Sequence, residues 1–477
     1  LISISTSQGI SARTTRPIAR KIILNSLPDG LLVAWYGDDF TGAAAVMEVL
    51  SFAGISTMLF LDVPTTDQLA HYPEVRAIGV ASTARAQSPA WMDRELPLAF
   101  AALLALNPEL FHYKICSTLD SSPNIGSIGR AIEIAAELIQ PHGIPILVAA
   151  PQIRRYQSFG HLFAAAGKVV YRLDRHPVMA RHPVTPMVEP DVARHIANQS
   201  DRLACSLWSL EDMAAKRPPQ WQQSKGQIPV LTIDCIDTKT EAAAGQFLWD
   251  NRAKNPFVVG SQGIEYALVQ HWVNAGQLAP QTPVITAGRA EGIVVVSGSV
   301  SPITADQIAW SRNHGFETIR FDVMQACGDN QALVAEMDRV VTQAMCAIHQ
   351  GLDPLIFTAE GPDDPTITQL KDAVIRTGKS MGAINQTIGV HLGQILANIL
   401  RKSGLRRAVV SGGDTSGHAT RQLGIFALSA LAPTIPGAAL FKAHAEGEMH
   451  GLELALKGGQ MGSVDYFSWI RDGGGLR

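Results

Sequence analysis

The chain has 477 residues, of which 46% are hydrophobic and 17% charged, and this balance excludes intrinsic disorder. Its 39 Lys and Arg against 42 Asp and Glu give a formal net charge of −3. No basic excess is present to hold nucleic acid, and no apolar run approaches the ~20 residues that cross a bilayer. The five cysteines are odd in number and widely spaced, which argues against a disulfide scaffold or cysteine-based zinc site and predicts a reducing, cytoplasmic setting.

Residues 1–30 are expected to form an N-terminal extension. Residues 1–20 carry no acidic side chain and several Ser, Thr and Arg, a composition shared by transit peptides and by frayed extensions. We expect a frayed extension. The segment has no apolar h-region, so secretion is not predicted.

From residue 31 the chain alternates short apolar segments with segments of helical spacing, which predicts a mostly parallel sheet flanked by helices. A first α/β domain is expected over residues 31–280. Its predicted strands are Leu31–Tyr36, Ser56–Asp62, Ala77–Ala81, His112–Ile115, Pro145–Ala150, Val230–Asp234 and Phe257–Val259. Its predicted helices are Thr41–Phe52, Trp91–Leu106, Ile128–Ile139, Thr240–Trp249 and Ile264–Trp272. Proline-rich Arg175–Pro190 and Lys216–Pro229 are predicted to be loops.

A linker is predicted at Gly276–Gly288, and a second α/β domain is expected over residues 290–477. Its predicted strands are Ile293–Val296, Thr318–Asp322, Leu355–Ala359 and Ala408–Val410. Its predicted helices are Ile303–Ser311, Gln331–His349, Thr368–Arg376, Ile384–Lys402 and one that starts in His418–Leu423. Ligands of such sheets bind beyond the carboxyl ends of the strands, so we expect the active site in the cleft between the domains.

Two adjacent carboxylates follow the first predicted strand, in Gly37-Asp38-Asp39-Phe40-Thr41-Gly42. One carboxylate can accept a proton from a substrate hydroxyl while the other binds the substrate or caps the following helix. Simple N-capping by Asp39 or Thr41 is the alternative, but a cap needs one such residue rather than two Asp between two Gly. We therefore predict that Asp38 and Asp39 are catalytic.

Polar side chains also follow two other predicted strands. Lys114, Ser117, Asp120 and Ser121 supply charge and hydrogen bonds suited to a polyhydroxy acid. Arg85 follows the third strand, where a guanidinium can bind a carboxylate bidentately. A single Arg is more often a surface residue, so the prediction of a substrate site depends on several strand ends converging.

The segment His182-Pro183-Val184-Thr185-Pro186-Met187 is either a substrate-facing loop or a loop stiffened by proline with no ligand, and both remain open. We keep His182 as a candidate substrate-binding residue. The sequence has no HxxxH or HExxH pattern, so no zinc site is predicted and metal ligands are left unassigned.

Glycine loops mark the second domain. Ser297-Gly298-Ser299-Val300-Ser301-Pro302 and Ser411–Gly417 each follow a strand and precede a helix, where backbone N–H groups and the helix dipole favour a phosphate. Ordinary tight turns are the alternative. A third cluster, Lys457-Gly458-Gly459-Gln460-Met461-Gly462, could contribute to the same phosphate-binding site. The predicted nucleotide-binding residues are Ser299, Ser301, Gly412, Gly413, Asp414, Thr415 and Gly459.

One further segment, Ala373–Ser380, matches a relaxed P-loop pattern. A P-loop follows a strand, whereas Thr368–Arg376 has helical spacing. We predict that Gly378 ends a helix and that the segment is not a P-loop.

In combination and in order, these motifs resemble the four-carbon acid sugar kinase family, from about Leu31 to Phe467. The resemblance implies an N-terminal domain that binds a sugar acid and a C-terminal domain that binds ATP, with Mg²⁺ on the phosphates. It implies that Asp39 is the candidate base that accepts the proton of the attacking hydroxyl, and we expect Arg85 or Lys114 to hold the carboxylate of the acid. The implied substrate-side residues are Asp38, Arg85, Lys114, Ser117 and Asp120, and the implied nucleotide-side residues are Ser299 or Ser301, Gly412, Gly413, Asp414, Thr415 and Gly459.

Three departures from the family pattern concern the substrate more than the reaction. Gly37 stands where the family usually has Ala or another small residue, Ala43-Ala44-Ala45 lacks an Asp that many members carry, and Lys457–Gly462 differs from the commoner Lys-Ser-Gly-Asn-Phe-Gly. Tyr171–Met187 and Cys116–Arg130 are most similar to the family's 3-oxo-isoapionate kinase branch. The alternatives are 3-oxo-tetronate, threonate and erythronate.

Two other classes of protein, an oxidoreductase and a non-catalytic binding protein, fit the sequence less well. A nicotinamide-dependent oxidoreductase would need a GxGxxG turn after the first strand, which is not there. A non-catalytic sugar-acid-binding protein would keep the polar groups of the first domain but would not need three glycine loops in the second. We predict an ATP-dependent sugar-acid kinase with a sugar acid and ATP as partners, without nucleic acid or membrane, and we leave a homodimer open.

Overall fold

The computed structural model describes residues 26–222, 224–281, 286–328, 330–378 and 380–477. Most of the predicted N-terminal extension, residues 1–25, lies outside the described residues, as do residues 282–285 of the predicted linker. We call residues 26–281 the N-terminal half and residues 286–477 the C-terminal half. None of the helices in these ranges is long and apolar enough to cross a membrane.

The described residues form a 15-stranded sheet, and a separate 3-stranded sheet lies beside it. The strands are β1 (Val33–Gly37), β2 (Thr57–Phe60), β3 (Ala77–Ala81), β4 (Leu110–Lys114), β5 (Ile144–Leu147), β6 (Arg155–Ser158), β7 (His161–Ala166), β8 (Val169–Arg172), β9 (Leu203–Trp208), β10 (Ile228–Ile233), β11 (Phe257–Gly260), β12 (Val294–Ser297), β13 (Phe316–Arg320), β14 (Asp353–Phe357), β15 (Arg407–Ser411), β16 (Ile425–Ala432), β17 (Leu440–Ala445) and β18 (Glu453–Lys457). The order across the large sheet is β13-β14-β12-β15-β18-β17-β16-β2-β3-β1-β4-β11-β5-β10-β9.

Helices cover the large sheet on both faces. They are α1 (Phe40–Phe52), α2 (Thr66–Ala70), α3 (Pro89–Leu104), α4 (Ile128–Ile139), α5 (Val192–Ala197), α6 (Leu210–Ala214), α7 (Thr238–Asp250), α8 (Gly263–Asn274), α9 (Pro302–Ser311), α10 (Asn330–His349), α11 (Pro365–Thr377), α12 (Met381–Ser403), α13 (Gly413–Gln422) and α14 (Tyr466–Arg471). Strand β1 is buried on both faces of the sheet. Val33 and Trp35 pack into the core that contains residues of α1. Ala34 and Tyr36 pack into the core that contains residues of α3. The predicted fold class is confirmed.

The strands of the N-terminal half run parallel in the order β2-β3-β1-β4-β11-β5-β10-β9. Their carboxyl ends are level, since Gly37 pairs with both Ala81 and Lys114, and Lys114 pairs with Gly260. The polar residues that follow these strands therefore meet at one edge of the sheet, as the sequence predicted.

The C-terminal half repeats this arrangement with β13-β14-β12-β15-β18, which are also parallel. Ser297 pairs with Ser411, and Ser411 pairs with Lys457. The residues after these three strand ends are Gly298, Gly412 and Gly458. The three predicted glycine loops thus lie side by side.

Two antiparallel strands that the sequence did not predict join the halves. Strand β17 pairs with β18, β16 pairs with β17, and β16 pairs with β2 of the N-terminal half through Leu428 with Leu59 and Ala427 with Phe60. The two expected sheets are therefore one continuous hydrogen-bonded sheet.

The P-loop-like segment behaves as predicted. Helix α11 runs through Ala373–Thr377 of this segment, and Gly378, which has φ +65°, caps its C-terminus. Lys379 lies outside the described residues. Because a helix and not a strand leads into this segment, it lacks the context of a P-loop.

Candidate active site

The Asp pair begins helix α1. The Asp39 carboxylate accepts a 2.8 Å hydrogen bond from the backbone N–H of Gly42 and so caps the helix. The Asp38 backbone N–H donates to the Lys114 carbonyl at 2.9 Å, which ties the end of β1 to β4. Asp39 is thus an N-cap, the alternative that the sequence left open.

Arg85 binds both carboxylates of the pair. Its Nη2 lies 2.8 Å from Asp38 Oδ1 and 2.8 Å from Asp39 Oδ1, while Nη1 donates to Asp39 Oδ2 at 2.8 Å. The side chain of Asp38 is 4% exposed, against 26% for Asp39. Burial raises the pKa of Asp38 although Arg85 opposes the shift, and Asp38 and Asp39 help to raise the pKa of Arg85 well above its usual value. Asp39 is the carboxylate of the pair that solvent or a ligand can reach.

Lys114 lies next to the pair. Its side chain is buried, and Nζ donates to the Ile115 carbonyl at 2.7 Å. A Cβ added to Gly42 would lie 2.6 Å from Lys114 Nζ and 2.5 Å from Asp39 Oδ1. Because Gly42 has no side chain, the Lys114 ammonium group and the Asp39 carboxylate can both lie close to the backbone of Gly42.

A cavity of about 510 Å³, which we call the Asp39 cavity, opens in front of these groups. Four of the predicted residues line it: Asp39, Arg85, Lys114 and Ser117. Further lining residues from the N-terminal half include Cys116, Gln152, Arg154, Arg155 and Gln262. Pro436, Gly437 and Met461 line it from the C-terminal half. The cavity is therefore built by both halves of the chain.

The other predicted substrate residues do not line this cavity. Asp120 accepts a hydrogen bond from the Thr185 hydroxyl and lies 3.8 Å from His182 Nδ1, so these three residues form a cluster of their own. Ser121 is buried, and its hydroxyl lies 2.9 Å from His195 Nε2 and 3.0 Å from the Leu119 carbonyl. Burial lowers the pKa of His195 to about 4. Ser121 thus fixes the local chain.

A second cavity, of about 390 Å³ and called here the Gly412 cavity, lies in the C-terminal half. Five predicted residues line it: Ser299, Gly412, Gly413, Thr415 and Gly459. Apolar side chains line it as well, namely Val300, Val323, Ile367, Leu370, Met381 and Ile388. Glycine loops beside an apolar lining suit a ligand with phosphates at one end and a flat ring at the other.

Helix α13 starts earlier than the sequence predicted. Its first residue is Gly413 rather than one in His418–Leu423, and Gly412 precedes it with φ +127°. Gly, Asp, Thr and Ser are weak helix formers, so tertiary context overrides local propensity here. Gly413 and Thr415 therefore lie in the first turn, where free N–H groups attract anions. The side chain of Asp414 lies outside the described part of the chain.

Ser299 and Ser301 differ in position. Ser301 caps α9 by accepting from the Thr304 N–H at 3.1 Å, and its hydroxyl donates to the Gly459 carbonyl. Ser299 lines the Gly412 cavity. A Cβ on Gly459 would lie 2.2 Å from Ser299 Oγ. The hydrogen bond from Ser301 thus holds Gly459, which lines the cavity, against the start of α9.

Sequence reasoning missed Gln152, Arg154 and Arg155. A usable signal existed, because these residues follow the predicted strand Pro145–Ala150 just as Asp38 follows the first strand. The loop that contains Pro436 and Gly437 had no such signal, since its flanking strands β16 and β17 were not predicted.

Family models cover most of the chain. A sugar-binding N-terminal domain model matches residues 33–268, and a nucleotide-binding C-terminal domain model matches residues 294–467. The Asp39 cavity is lined mainly by the first of these segments, and the Gly412 cavity entirely by the second.

Relatives match along nearly their whole length. The chain is 44% identical to a 3-oxo-isoapionate kinase of Paraburkholderia graminis over 94% of this chain and 95% of that protein. It is 27% identical to a 3-oxo-tetronate kinase of Pseudomonas savastanoi pv. phaseolicola over 92% and 96%. A crystal structure from Salmonella typhimurium LT2 has a TM-score of 0.72 at 24% identity, covers 92% of this chain and 98% of its own, and shows the same fold.

Together, the matched sugar-binding and nucleotide-binding domains and the two kinase relatives place the chain among the small-molecule kinases. The chain belongs to the four-carbon acid sugar kinase family, and it is a sugar-acid kinase.

Proposed function

We propose that the chain transfers the γ-phosphoryl group of ATP to a hydroxyl of 3-oxo-isoapionate. The observation that carries this choice is the 44% identity to a 3-oxo-isoapionate kinase, against 27% to a 3-oxo-tetronate kinase of similar coverage. The hydroxyl oxygen bonds to the γ-phosphorus, ADP leaves, and the hydroxyl proton goes to a base.

Asp39 is the base in this proposal. Its carboxylate lines the Asp39 cavity, whereas Asp38 is buried behind it. Arg85 and the Gly42 N–H hold the Asp39 carboxylate in one orientation. A base that is fixed within reach of the substrate hydroxyl meets the first geometric requirement of general base catalysis.

ATP occupies the Gly412 cavity, with its phosphates at Gly412, Gly413 and Gly459 and its ring among the apolar side chains. The segment Gly458–Gly462 connects the two cavities, because Gly459 lines one and Met461 lines the other. A γ-phosphoryl group at Gly459 therefore has a short path to a hydroxyl beside Met461. Positioning of this kind supplies much of the catalysis in phosphoryl transfer.

In this proposal Mg²⁺ enters with ATP. Among the described residues no group of three or more His, Cys, Asp or Glu could hold a metal ion. Mg²⁺ in phosphoryl-transfer sites binds mainly through phosphates and water with one or two carboxylates, so a dedicated protein cage is not required. When bound, the ion neutralises charge on the phosphates.

The test is coupled ADP release with ATP and a panel of 3-oxo-isoapionate, 3-oxo-tetronate, threonate and erythronate. We expect the highest kcat/KM with 3-oxo-isoapionate. Faster turnover of 3-oxo-tetronate would replace the substrate but keep the reaction. Calorimetric binding of an acid without ADP release from any acid would favour the sugar-acid-binding protein instead.

A further inference from the structure

We propose that Arg155 binds the carboxylate of the sugar acid, rather than Arg85 or Lys114, the two residues that the sequence suggested for this role. This inference rests on the proposed function, since it needs an anionic substrate in the Asp39 cavity. It concerns which residue selects an acid over a neutral sugar.

The backbone holds Arg155 in place at the cavity wall. Arg155 is the first residue of β6, and its N–H and carbonyl both bond to Ala150, at 3.1 Å and 3.0 Å. Ala150 closely follows β5, so Arg155 stands at the carboxyl edge of the large sheet. Its side chain lines the same cavity as Asp39.

The Arg155 guanidinium has no anionic partner among the residues the structure describes. Its Nη1 donates hydrogen bonds to carbonyl oxygens alone, those of Ile153 at 3.2 Å, Arg154 at 3.3 Å and Ala165 at 3.4 Å. Its Nε is buried and makes no hydrogen bond. Burial accordingly lowers the pKa of Arg155, the direction expected for a desolvated cation without a counter-ion.

The other cations of the cavity already have partners. Arg85 donates to both carboxylates of the Asp pair. Arg154 has no anionic partner among the described residues either, but its Nη1 donates to the Gly167 carbonyl at 2.7 Å and its Nη2 to the Lys168 carbonyl at 2.9 Å, so both of its terminal nitrogens are used. Lys114 and Arg85 both act electrostatically on Asp38. Two positive charges therefore balance two negative ones at the Asp pair.

An anionic substrate completes this pattern. Arg155 is a cation that lines the cavity and has no protein anion beside it, and a carboxylate is the acceptor that best matches a guanidinium, because both are planar and the bond is charge-assisted. Arg85, Cys116 and Arg155 all line the cavity, so the two guanidiniums border one space. The acid would then bind with its carboxylate at Arg155 and its reacting hydroxyl at Asp39.

The test compares Arg155→Gln with Arg175→Gln, which removes the same charge from an exposed residue that does not line the Asp39 cavity. The probes are 3-oxo-isoapionate and its methyl ester, measured by steady-state kinetics and by calorimetry without ATP. For Arg155→Gln we expect the KM and the Kd of the acid to rise about 10- to 100-fold, the loss of a charge-assisted hydrogen bond, with kcat and the KM of ATP nearly unchanged. The ester should be affected little, so discrimination between acid and ester disappears.

Arg155→Lys should recover part of the affinity, because it restores charge but not the bidentate geometry. An unchanged KM of the acid in Arg155→Gln would overturn the proposal, and so would equal losses for acid and ester. If Arg155→Gln fails to fold, the decisive quantity is the ratio of the KM of the acid to the KM of the ester in Arg155→Lys. A ratio equal to that of the wild type would overturn the proposal. A wild-type protein that releases no ADP with any acid contradicts the proposed function instead, and calorimetry of the acid still decides the role of Arg155.

Discussion

At the scale of single residues, the two adjacent aspartates have different environments. Asp38 is buried with its pKa raised, while Asp39 caps a helix and remains open to the cavity. The sequence predicted both as catalytic, because two acids directly after a strand can be recognised without a structure, and the family resemblance implied that Asp39 is the base. It did not predict that Arg85 binds the pair, because 46 and 47 residues separate the partners in the chain.

The first prediction concerns Asp39→Asn. Asn is also a good N-cap, so α1 should stay capped and the fold intact. Without a proton acceptor we expect kcat to fall by about 10²- to 10⁴-fold, the usual contribution of a general base. The measurements are ADP release and calorimetric binding of ATP, and the second should remain close to that of the wild type.

Asp237→Asn is the matched control for this variant. Asp237 is an exposed aspartate that caps α7 and accepts from the Thr240 N–H at 2.8 Å, and it does not line the Asp39 cavity. It should retain wild-type turnover. Kinase activity of Asp39→Asn at the wild-type rate would show that Asp39 is not the general base.

At the scale of elements, buried parallel strands were the easiest to predict. Strands such as β1 and β12 are apolar along their length and fully buried, and such runs stand out in the sequence. Two of the missed antiparallel strands have weak patterns, because β6 is largely polar and β8 is partly exposed. Helix α13 was placed too late because its first turn is made of Gly, Asp, Thr and Ser, whose propensity predicts a turn.

The second prediction tests the third glycine loop through Gly459→Ala. The added methyl would lie 2.2 Å from Ser299 Oγ and 3.5 Å from the Ser301 Cβ, so the loop must move away from the strand end. Overpacking of this kind costs about 1–3 kcal/mol, and we expect the KM of ATP to rise at least about tenfold. The KM of the sugar acid should change less, because Gly459 does not line the Asp39 cavity.

Gly382→Ala serves as its control. Gly382 is exposed in α12, and a Cβ there would meet nothing within 4 Å. This substitution should leave the KM of ATP unchanged and raise the free energy of unfolding by up to about 1 kcal/mol, the helix preference for Ala over Gly. Equal effects of the two substitutions on the KM of ATP would show that Gly459 has no special role.

At the scale of the whole molecule, helix α1 ties the two halves together. Glu48 on α1 is buried and accepts hydrogen bonds from the N–H groups of Gly437 at 2.9 Å and Ala439 at 3.0 Å. Gly437 also lines the Asp39 cavity. The helix that presents Asp39 therefore also positions a loop of the C-terminal half at the same cavity, in addition to the pairing of β2 with β16.

The third prediction follows from the buried charge of Glu48. Burial raises its pKa from 4.5 to about 7, and the two backbone hydrogen bonds only partly oppose the shift. The folded protein therefore holds this proton more tightly than the unfolded chain does. The protonated Glu48 therefore stabilises the fold fully below about pH 4.5, and this contribution is lost as the pH rises through 7. The difference between the two pKa values corresponds to about 3 kcal/mol in the free energy of unfolding.

Glu48→Gln removes this dependence because the amide does not titrate. We expect the Tm of the wild type, relative to that of Glu48→Gln, to fall between pH 5.5 and pH 8, since only the wild type acquires a buried charge in that interval. Exposed Glu317→Gln should show no such trend. A Tm difference between wild type and Glu48→Gln that stays constant from pH 5.5 to 8 would mean that Glu48 keeps one protonation state throughout, and that ionisation of Glu48 does not weaken the contact between the halves.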